Sequence, residues 1–160
     1  MPASPTRWSL GAKLAAVGLP FMVLGLLVTA LTLWVSWQLD GGAAAVNEAG
    51  RMRMQAYRLA WISTLPHDPA MRPRMVDEFE RSLQVLEKGD PERPLVTPWD
   101  DDVRSRYQAV RASWDGVRAL HAKAVPLDSA GLNQATVALV ATIDGLVQAI
   151  EVHLARYTSI

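Results

Sequence analysis

Apolar positions divide the chain into one uninterrupted run followed by several periodic segments. Leu14 to Trp37 is a stretch of 24 residues without a charge, and a helix of this length spans roughly 36 Å at about 1.5 Å of rise per residue. That distance crosses a hydrocarbon core of about 30 Å with some tilt. Pro20 lies inside the run, but proline is tolerated in membrane helices. The pattern therefore predicts a transmembrane helix over residues 14–38.

The residues that flank this run predict its orientation. Arg7 and Lys13 lie on its N-terminal side, whereas Asp40 is the first acidic residue of the chain. Because positively charged flanks stay in the cytoplasm, residues 1–13 are expected to be cytoplasmic and residues 40–160 to lie on the other side of the membrane. The pattern thus predicts a membrane-anchored protein with its larger part outside the cytoplasm.

A cleaved signal peptide is the alternative interpretation of the N-terminus. The small residues Ala43, Ala44 and Ala45 could serve a peptidase, but the apolar run is longer than the roughly 7–15 residues of the hydrophobic region of a signal peptide. We therefore expect an uncleaved anchor. A second span is not expected within the sequence, because the most apolar later stretch, Ala135 to Ile150, contains Asp144 and regularly spaced polar residues.

Beyond the apolar run, four segments carry apolar residues three and four positions apart, which is the period of an amphipathic helix. The first segment, about Gly42 to Thr64, continues from the membrane helix. The predicted buried stripes are Ala45, Ala49, Met52, Ala56 and Leu59 in the first segment, Val76, Phe79, Leu83 and Leu86 in the second, Val103, Tyr107, Val110, Trp114, Val117, His121 and Ala124 in the third, and Leu132, Thr136, Leu139, Ile143, Leu146, Ile150 and Leu154 in the fourth.

Capping residues predict where these helices begin and end. Asp68 followed by Pro69 suits the start of the second helix, and Gly89 suits its end. Thr97 followed by Pro98 is expected to cap the third helix. No segment alternates with a period of two, so a sheet is not expected.

Four amphipathic segments with short breaks predict an all-α fold, in which an N-terminal transmembrane helix continues into an up-down-up-down four-helix bundle. In this topology the fourth helix runs back toward the membrane. We therefore expect that a second transmembrane helix and an output region follow in a longer receptor and are absent from this sequence.

Composition excludes several classes of function. The 16 basic residues balance the 16 acidic residues, so no positive excess exists for binding nucleic acid. The chain has no cysteine and its three histidines have no metal-ligand spacing, so no metal site or cofactor is expected. No phosphate loop or serine elbow occurs. We expect no enzyme active site within these residues.

Arginines are concentrated in the first helix beyond the predicted membrane span. Arg51, Arg53 and Arg58 fall within eight residues, and Gly50 precedes them. Arg51 and Arg58 are expected to be solvated or paired with Glu48 and with acids of other helices. Arg53 lies on the flank of the buried stripe beside small and apolar residues, where a charge needs a counter-charge.

The stretch NEAGRMRMQAYRLA, residues 47–60, resembles the conserved box of the NarX/NarQ nitrate/nitrite sensor histidine kinases. The pattern of that family is Asn-x-Ala-Gly, two variable residues, and Arg-Met-Gln-x-Tyr-Arg-Leu. The matching residues here are Asn47, Ala49, Gly50, Arg53, Met54, Gln55, Tyr57, Arg58 and Leu59. The resemblance covers this box and the layout of the helices.

The resemblance implies a protein of the bacterial inner membrane, with residues 40–160 in the periplasm and a site at the interface of a homodimer formed through helix 1. In that family the arginine that corresponds to Arg53 binds one nitrate or nitrite together with its symmetry mate, and Gly50 leaves room beside the anion. Arg58, Asn47, Tyr57 and Arg51 would support the site. Ligand binding would displace a helix across the membrane toward a histidine kinase, which would act on a cytoplasmic response regulator.

Two departures from this family leave other functions open. Glu48 is an acid beside the expected anion site, where it would weaken binding unless it points away or pairs with Arg51. The run Gly50-Arg51 followed by Arg53 is closer to the related sensor domain of type IV pilus methyl-accepting transducers. The alternatives are therefore the sensor domain of a chemotaxis-type transducer with another ligand or a protein partner, and a membrane-anchored structural dimer of helical bundles.

Overall fold

The computed structural model describes residues 9–64, 70–90, 92–122 and 129–158, and the side chains up to residue 156. Within these ranges the chain forms four α-helices and no β-strand. The helices are α1 (Leu10–Ser63), α2 (Met71–Lys88), α3 (Asp101–Ala122) and α4 (Ser129–Thr158). The predicted all-α fold with an apolar N-terminal helix is confirmed.

The chain divides into two compact units, Met1–Trp37 and Gln38–Ile160. The described part of the first unit is the apolar start of α1, whose side chains are exposed apart from the partly covered Val35. By length and composition, α1 is able to cross a membrane, and so is Ser129–Arg156 of α4. The apolar residues of α4, however, line the core of the second unit, where they are already buried.

The second unit, Gln38–Ile160, is a bundle in which neighbouring helices are antiparallel. As residue numbers rise along one helix, the numbers of the contacting residues on the neighbouring helix fall, as antiparallel packing requires. The pairs are Gly42 with Leu154 and Arg53 with Asp144 between α1 and α4, Glu80 with Arg118 and Glu87 with Arg111 between α2 and α3, and Asp100 with His153 and Arg106 with Gly145 where α3 lies beside α4. Since α4 also lies beside α1, the bundle has the predicted up-down-up-down topology.

The core lies along the four predicted stripes. The stripe residues of α1 and the described stripe residues of α3 are all buried, and α4 follows the prediction up to Ile150, with Leu154 partly buried. Ala124 lies outside the described residues. In α2 the prediction needs one correction, because Met75 is buried where Val76 was expected and Val76 is only partly covered. Phe79 stacks on Trp114 at 4.0 Å between ring centroids, which joins α2 to α3 at the centre of the bundle.

The predicted start of α3 is wrong by one turn. Asp100, not Thr97, is the N-cap, because its Oδ1 accepts a hydrogen bond from the backbone N–H of Val103 at 2.8 Å. This hydrogen bond, followed by a second one from His153, lowers the pKa of Asp100. Thr97 is buried and donates to the carbonyl oxygen of Leu86 at 2.7 Å.

Of the two predicted ends of α2, only the C-terminal end can be compared with the structure. Gly89 ends the helix as expected, with a φ of 82° that favours glycine and with its N–H donating to the carbonyl oxygen of Val85. The predicted cap, Asp68 with Pro69, lies outside the described residues. The helix itself begins at Met71, and the preceding Ala70 provides no side-chain cap.

Candidate functional site on the first helix

Three large apolar side chains of the bundle portion of α1 face solvent. Met54 is 71% exposed, Tyr57 51% and Trp61 65%. Their spacing of three and four residues places them on one side of the helix, away from the stripe of small residues that packs into the core. We refer to Met54, Tyr57 and Trp61 as the outward stripe. Such a continuous apolar surface is typical of an interaction site.

Arg53 lies at the edge of the outward stripe that borders α4. Its Nη1 atom is 2.8 Å from Oδ1 of Asp144 and donates a hydrogen bond to it. The two side chains are 44% and 51% exposed. The counter-charge that the sequence requires for Arg53 is therefore supplied by α4, from a residue that the sequence pattern marked only as an interruption of an apolar stretch.

Gly50 lies one turn before Arg53 on the same side of α1. A Cβ atom at Gly50 would meet only the Arg53 guanidinium, with Nη2 at the ordinary contact distance of 3.6 Å. No packing within the described part of the bundle therefore requires glycine here. The open space beside Gly50 and Arg53 is available to a ligand or to another helix.

Glu48 points away from this space and into the bundle. Its side chain is 1% exposed, and Oε2 accepts a hydrogen bond from Nη2 of Arg93 at 2.6 Å. Oε1 lies 2.9 Å from Nη2 of Arg51 but accepts no well-aligned hydrogen bond from a described residue. The acid that would disfavour an anion at Arg53 is thus neutralised by Arg51 and Arg93.

Arg93 is the residue that the sequence could not assign to this cluster. It lies 45 positions after Glu48, in the connection between α2 and α3, and its Nε also donates to Asp90 at 2.7 Å. The hydrogen bond to Glu48, and then the one to Asp90, raise the pKa of Arg93. The sequence predicts only a loop in this segment, because no local pattern indicates that Arg93 contacts a residue of α1.

The structure separates the arginines of the predicted site. Arg53 faces α4, whereas Arg51 and Arg58 face α2, where they line a groove with Trp61. Asn47 and Tyr57 are exposed between these two sides. Arg53 and Gly50 therefore form one candidate site, and the arginines toward α2 form a second.

The two described histidines, His121 and His153, are not part of a candidate metal centre. Among the described residues, no group of three or more His, Asp and Glu side chains is arranged to hold a metal ion. His121 is buried as predicted, with Nδ1 2.8 Å from the carbonyl oxygen of Val117 and Nε2 3.0 Å from Oγ of Ser63. Burial lowers the pKa of His121 below its usual 6.5.

The fold and the outward stripe define a class of protein: an all-α bundle domain that follows an apolar helix long enough to cross a membrane. The family profile of the N-terminal region of type IV pili methyl-accepting chemotaxis transducers (PilJ) matches residues 34–150. The chain belongs to this family. The match confirms the related transducer sensor family named from the sequence, but not the closer resemblance to the NarX/NarQ sensors. No curated protein and no solved structure matches the chain.

Proposed function

We propose that the chain is the signal-input region of a membrane-anchored, dimeric transducer of the methyl-accepting chemotaxis type. The family match over residues 34–150 supports this class of receptor. The uncharged run of residues 14–38 would be the anchor, and its basic N-terminal flank favours a cytoplasmic N-terminus with residues 40–160 in the periplasm of the inner membrane. The same family match favours a chemotaxis-type transducer over a sensor histidine kinase that acts on a response regulator.

The outward stripe of α1 is the observation that supports a dimer. Met54, Tyr57 and Trp61 together expose apolar surface to water. Burial of this surface against an identical surface would contribute a favourable free energy of about 25 cal/mol per Å². A two-fold axis beside α1 would bring this stripe against its own copy. The stripe borders Gly50 and Arg53, so the interface would include the open space beside them.

Cysteine cross-linking in native membranes tests this proposal, and the chain contains no cysteine of its own. Met54→Cys and Trp61→Cys should each yield a disulfide-linked homodimer on mild oxidation. Ala119→Cys, an exposed position on α3, is the matched control and should remain monomeric. Cross-linking at Ala119 but not at the outward stripe would contradict the proposed interface.

The same Ala119→Cys variant tests the orientation. A maleimide reagent that does not cross the inner membrane should label it in spheroplasts, because the bundle is proposed to be periplasmic. Labelling only after the membrane is permeabilised would place the bundle in the cytoplasm and contradict the proposed topology.

A second candidate function is nitrate or nitrite binding by Arg53 from both subunits. The orientation of Glu48 favours it, since this acid is buried and paired with Arg51 and Arg93. A planar guanidinium donates well to a planar oxyanion, and two facing Arg53 side chains would repel each other until an anion lay between them. The anion would have to compete with Asp144, which already pairs with Arg53.

Ligand binding at such an interface would act on the position of α1. An anion that binds one arrangement of the two first helices better than the other shifts the population toward that arrangement, by no more than its difference in affinity. A small displacement of a helix is a common form of such a change. The structural alternative, a tethered dimer without a ligand, predicts no such shift.

Calorimetry of the full chain in detergent with nitrate, nitrite and chloride tests the second function. Arg53→Ala should abolish binding of nitrate. Arg58→Ala should only weaken it, because it removes a nearby positive charge that faces α2 and does not belong to the site. Arg118→Ala, which removes an equally exposed arginine of α3, should have no effect. Absence of heat with all three anions would exclude anion sensing by Arg53 and leave the transducer function in place.

A further inference from the structure

A groove between α1 and α2 is unrelated to the side of α1 that holds Arg53. Its volume is about 600 Å³, within the range of roughly 300–1,000 Å³ typical of small-molecule sites. Met54 and Trp61 supply its apolar surface, and Arg58 of α1 and Arg81 of α2 lie along it. The groove therefore combines apolar surface with positive charge from two helices.

Two arginines of the groove, Arg58 and Arg81, differ from most others of the bundle in lacking an acid. Within the parts of the chain that the structure describes, neither Arg58 nor Arg81 forms an ion pair, whereas Arg53, Arg111 and Arg118 each pair with a carboxylate of another helix. Two unpaired guanidinium groups in one groove favour an anionic ligand. A carboxylate accepts forked hydrogen bonds from this group.

The remaining charges of the groove restrict the net charge of the ligand. Arg51 also lines the groove but is already paired with the buried Glu48. Glu78 of α2 adds one negative charge, and it too forms no ion pair among the described residues. With Arg58 and Arg81, the unpaired charges sum to one positive charge, which suits a monovalent anion better than a dianion.

The exposed indole of Trp61 restricts the ligand further. Trp61 and Met54 are among the most exposed large apolar residues of the bundle, so a ligand with an apolar or aromatic part would cover surface that water now contacts. An inorganic anion would leave that surface uncovered. The groove therefore favours an organic anion over nitrate.

We propose that the α1–α2 groove binds a small organic carboxylate, whose carboxylate group lies between Arg58 and Arg81 and whose apolar body packs on Trp61 and Met54. The site is distinct from the candidate nitrate site, because Arg53 faces α4. Met54 and Trp61 also belong to the outward stripe, so the ligand and the second subunit would share this surface. Arg58 and Arg81 belong to the ligand site alone, so substitutions there test ligand binding separately from cross-linking.

Fluorine NMR of 4-fluorobenzoate with the full chain in detergent micelles tests the proposal. The wild-type chain should broaden the ligand signal in a saturable manner, beyond the effect of empty micelles. The neutral amide 4-fluorobenzamide has the same shape and should be broadened much less. Equal broadening of the two probes, or none of 4-fluorobenzoate, would overturn the proposal.

Variants with opposite expected effects separate binding from altered folding. Arg58→Gln and Arg81→Gln should each weaken 4-fluorobenzoate binding by roughly tenfold, the effect of losing one charged hydrogen-bond partner. Glu78→Gln should strengthen binding, because it removes a like charge. Arg74→Gln, an exposed arginine of α2 that does not line the groove, should change nothing.

Competition with nitrate distinguishes an organic from an inorganic ligand. Nitrate at equal concentration should not displace 4-fluorobenzoate, because it cannot contact Trp61 and Met54 as the aromatic ring does. Efficient displacement, in the wild type and in Arg53→Ala alike, would assign the groove to small inorganic anions and overturn the proposed class of ligand. Unchanged binding in Arg58→Gln and Arg81→Gln would exclude the groove altogether.

Discussion

Glu48 of α1 accepts a hydrogen bond of 2.6 Å from Arg93, which lies in the connection between α2 and α3. The carboxylate is almost fully buried, whereas the guanidinium of Arg93 is about one-third exposed. The pair therefore joins α1 to the loop between α2 and α3. It also removes a negative charge from the surface of α1, where the candidate anion site lies.

Glu48→Ala should destabilise the bundle by roughly 1.5–3 kcal/mol, because it removes the charged hydrogen bond between the buried carboxylate and Arg93, which keeps only its pair with Asp90. Arg51→Ala, which removes the more exposed partner of the same carboxylate, should cost less than about 1 kcal/mol. Urea denaturation of the two variants measures the difference. Equal effects would mean that Arg93 contributes little to the position of Glu48.

Two glycines of α1 should respond in opposite ways to alanine. At Gly41 a Cβ atom would lie 3.1 Å from the backbone nitrogen of Val96, whose N–H donates to the carbonyl oxygen of Gly41. Gly41→Ala should therefore shift this connection and lower the melting temperature. Gly50→Ala meets only the Arg53 side chain and should raise stability by up to about 1 kcal/mol, the helix preference of alanine over glycine.

The Gly50→Ala variant is also a probe of the open space beside Arg53. If an anion or a second α1 occupies that space, the added methyl group should weaken anion binding or cross-linking while the bundle itself stays folded. Thermal unfolding, calorimetry and cross-linking of the same preparation measure these effects separately. Unchanged binding and cross-linking would show that the space is not used.

The stability of the bundle should fall on acidification because of His121. Burial lowers the pKa of this imidazole below its usual 6.5, so the unfolded chain takes up its proton at a higher pH than the folded chain does. Stability is then complete above about pH 6.5 and is lost as the pH falls from there to the lowered pKa of the folded state.

Denaturation at several pH values measures this loss, and His121→Gln provides the comparison. The variant has no imidazole to protonate, so its stability should change less between pH 7 and pH 5. An unchanged pH slope in His121→Gln would mean that other groups account for the dependence. Ser63 and Val117, which contact the two ring nitrogens, do not titrate in this range.

The pair of Arg53 and Asp144 should matter more for binding than for folding. Both side chains are about half exposed, so Asp144→Asn should change the free energy of unfolding by less than about 1 kcal/mol. If Arg53 binds an anion, the same substitution should increase the affinity, because it removes the competing carboxylate. Calorimetry with nitrate measures this, and reduced affinity would mean that Asp144 positions Arg53 for binding.

Local sequence determined the helices and their buried sides. The spacing of three and four residues is set by the geometry of the helix itself, so the stripes through Met52, Trp114 and Ile143 could be recognised without knowledge of their partners. The end of α2 at Gly89 was equally predictable, because a positive φ favours glycine whatever lies around it.

Tertiary structure alone decided the pairing of charges that lie on different elements. The partners of Glu48 and Arg53 are Arg93 and Asp144, which lie 45 and 91 positions away, and no local pattern relates residues that meet only when helices pack. The cap of α3 was misassigned for a similar reason, because Thr97 bonds to α2 instead of its own helix. Charges and hydroxyl groups take whichever partner the packed helices bring near, whereas apolar periodicity is a property of each helix by itself.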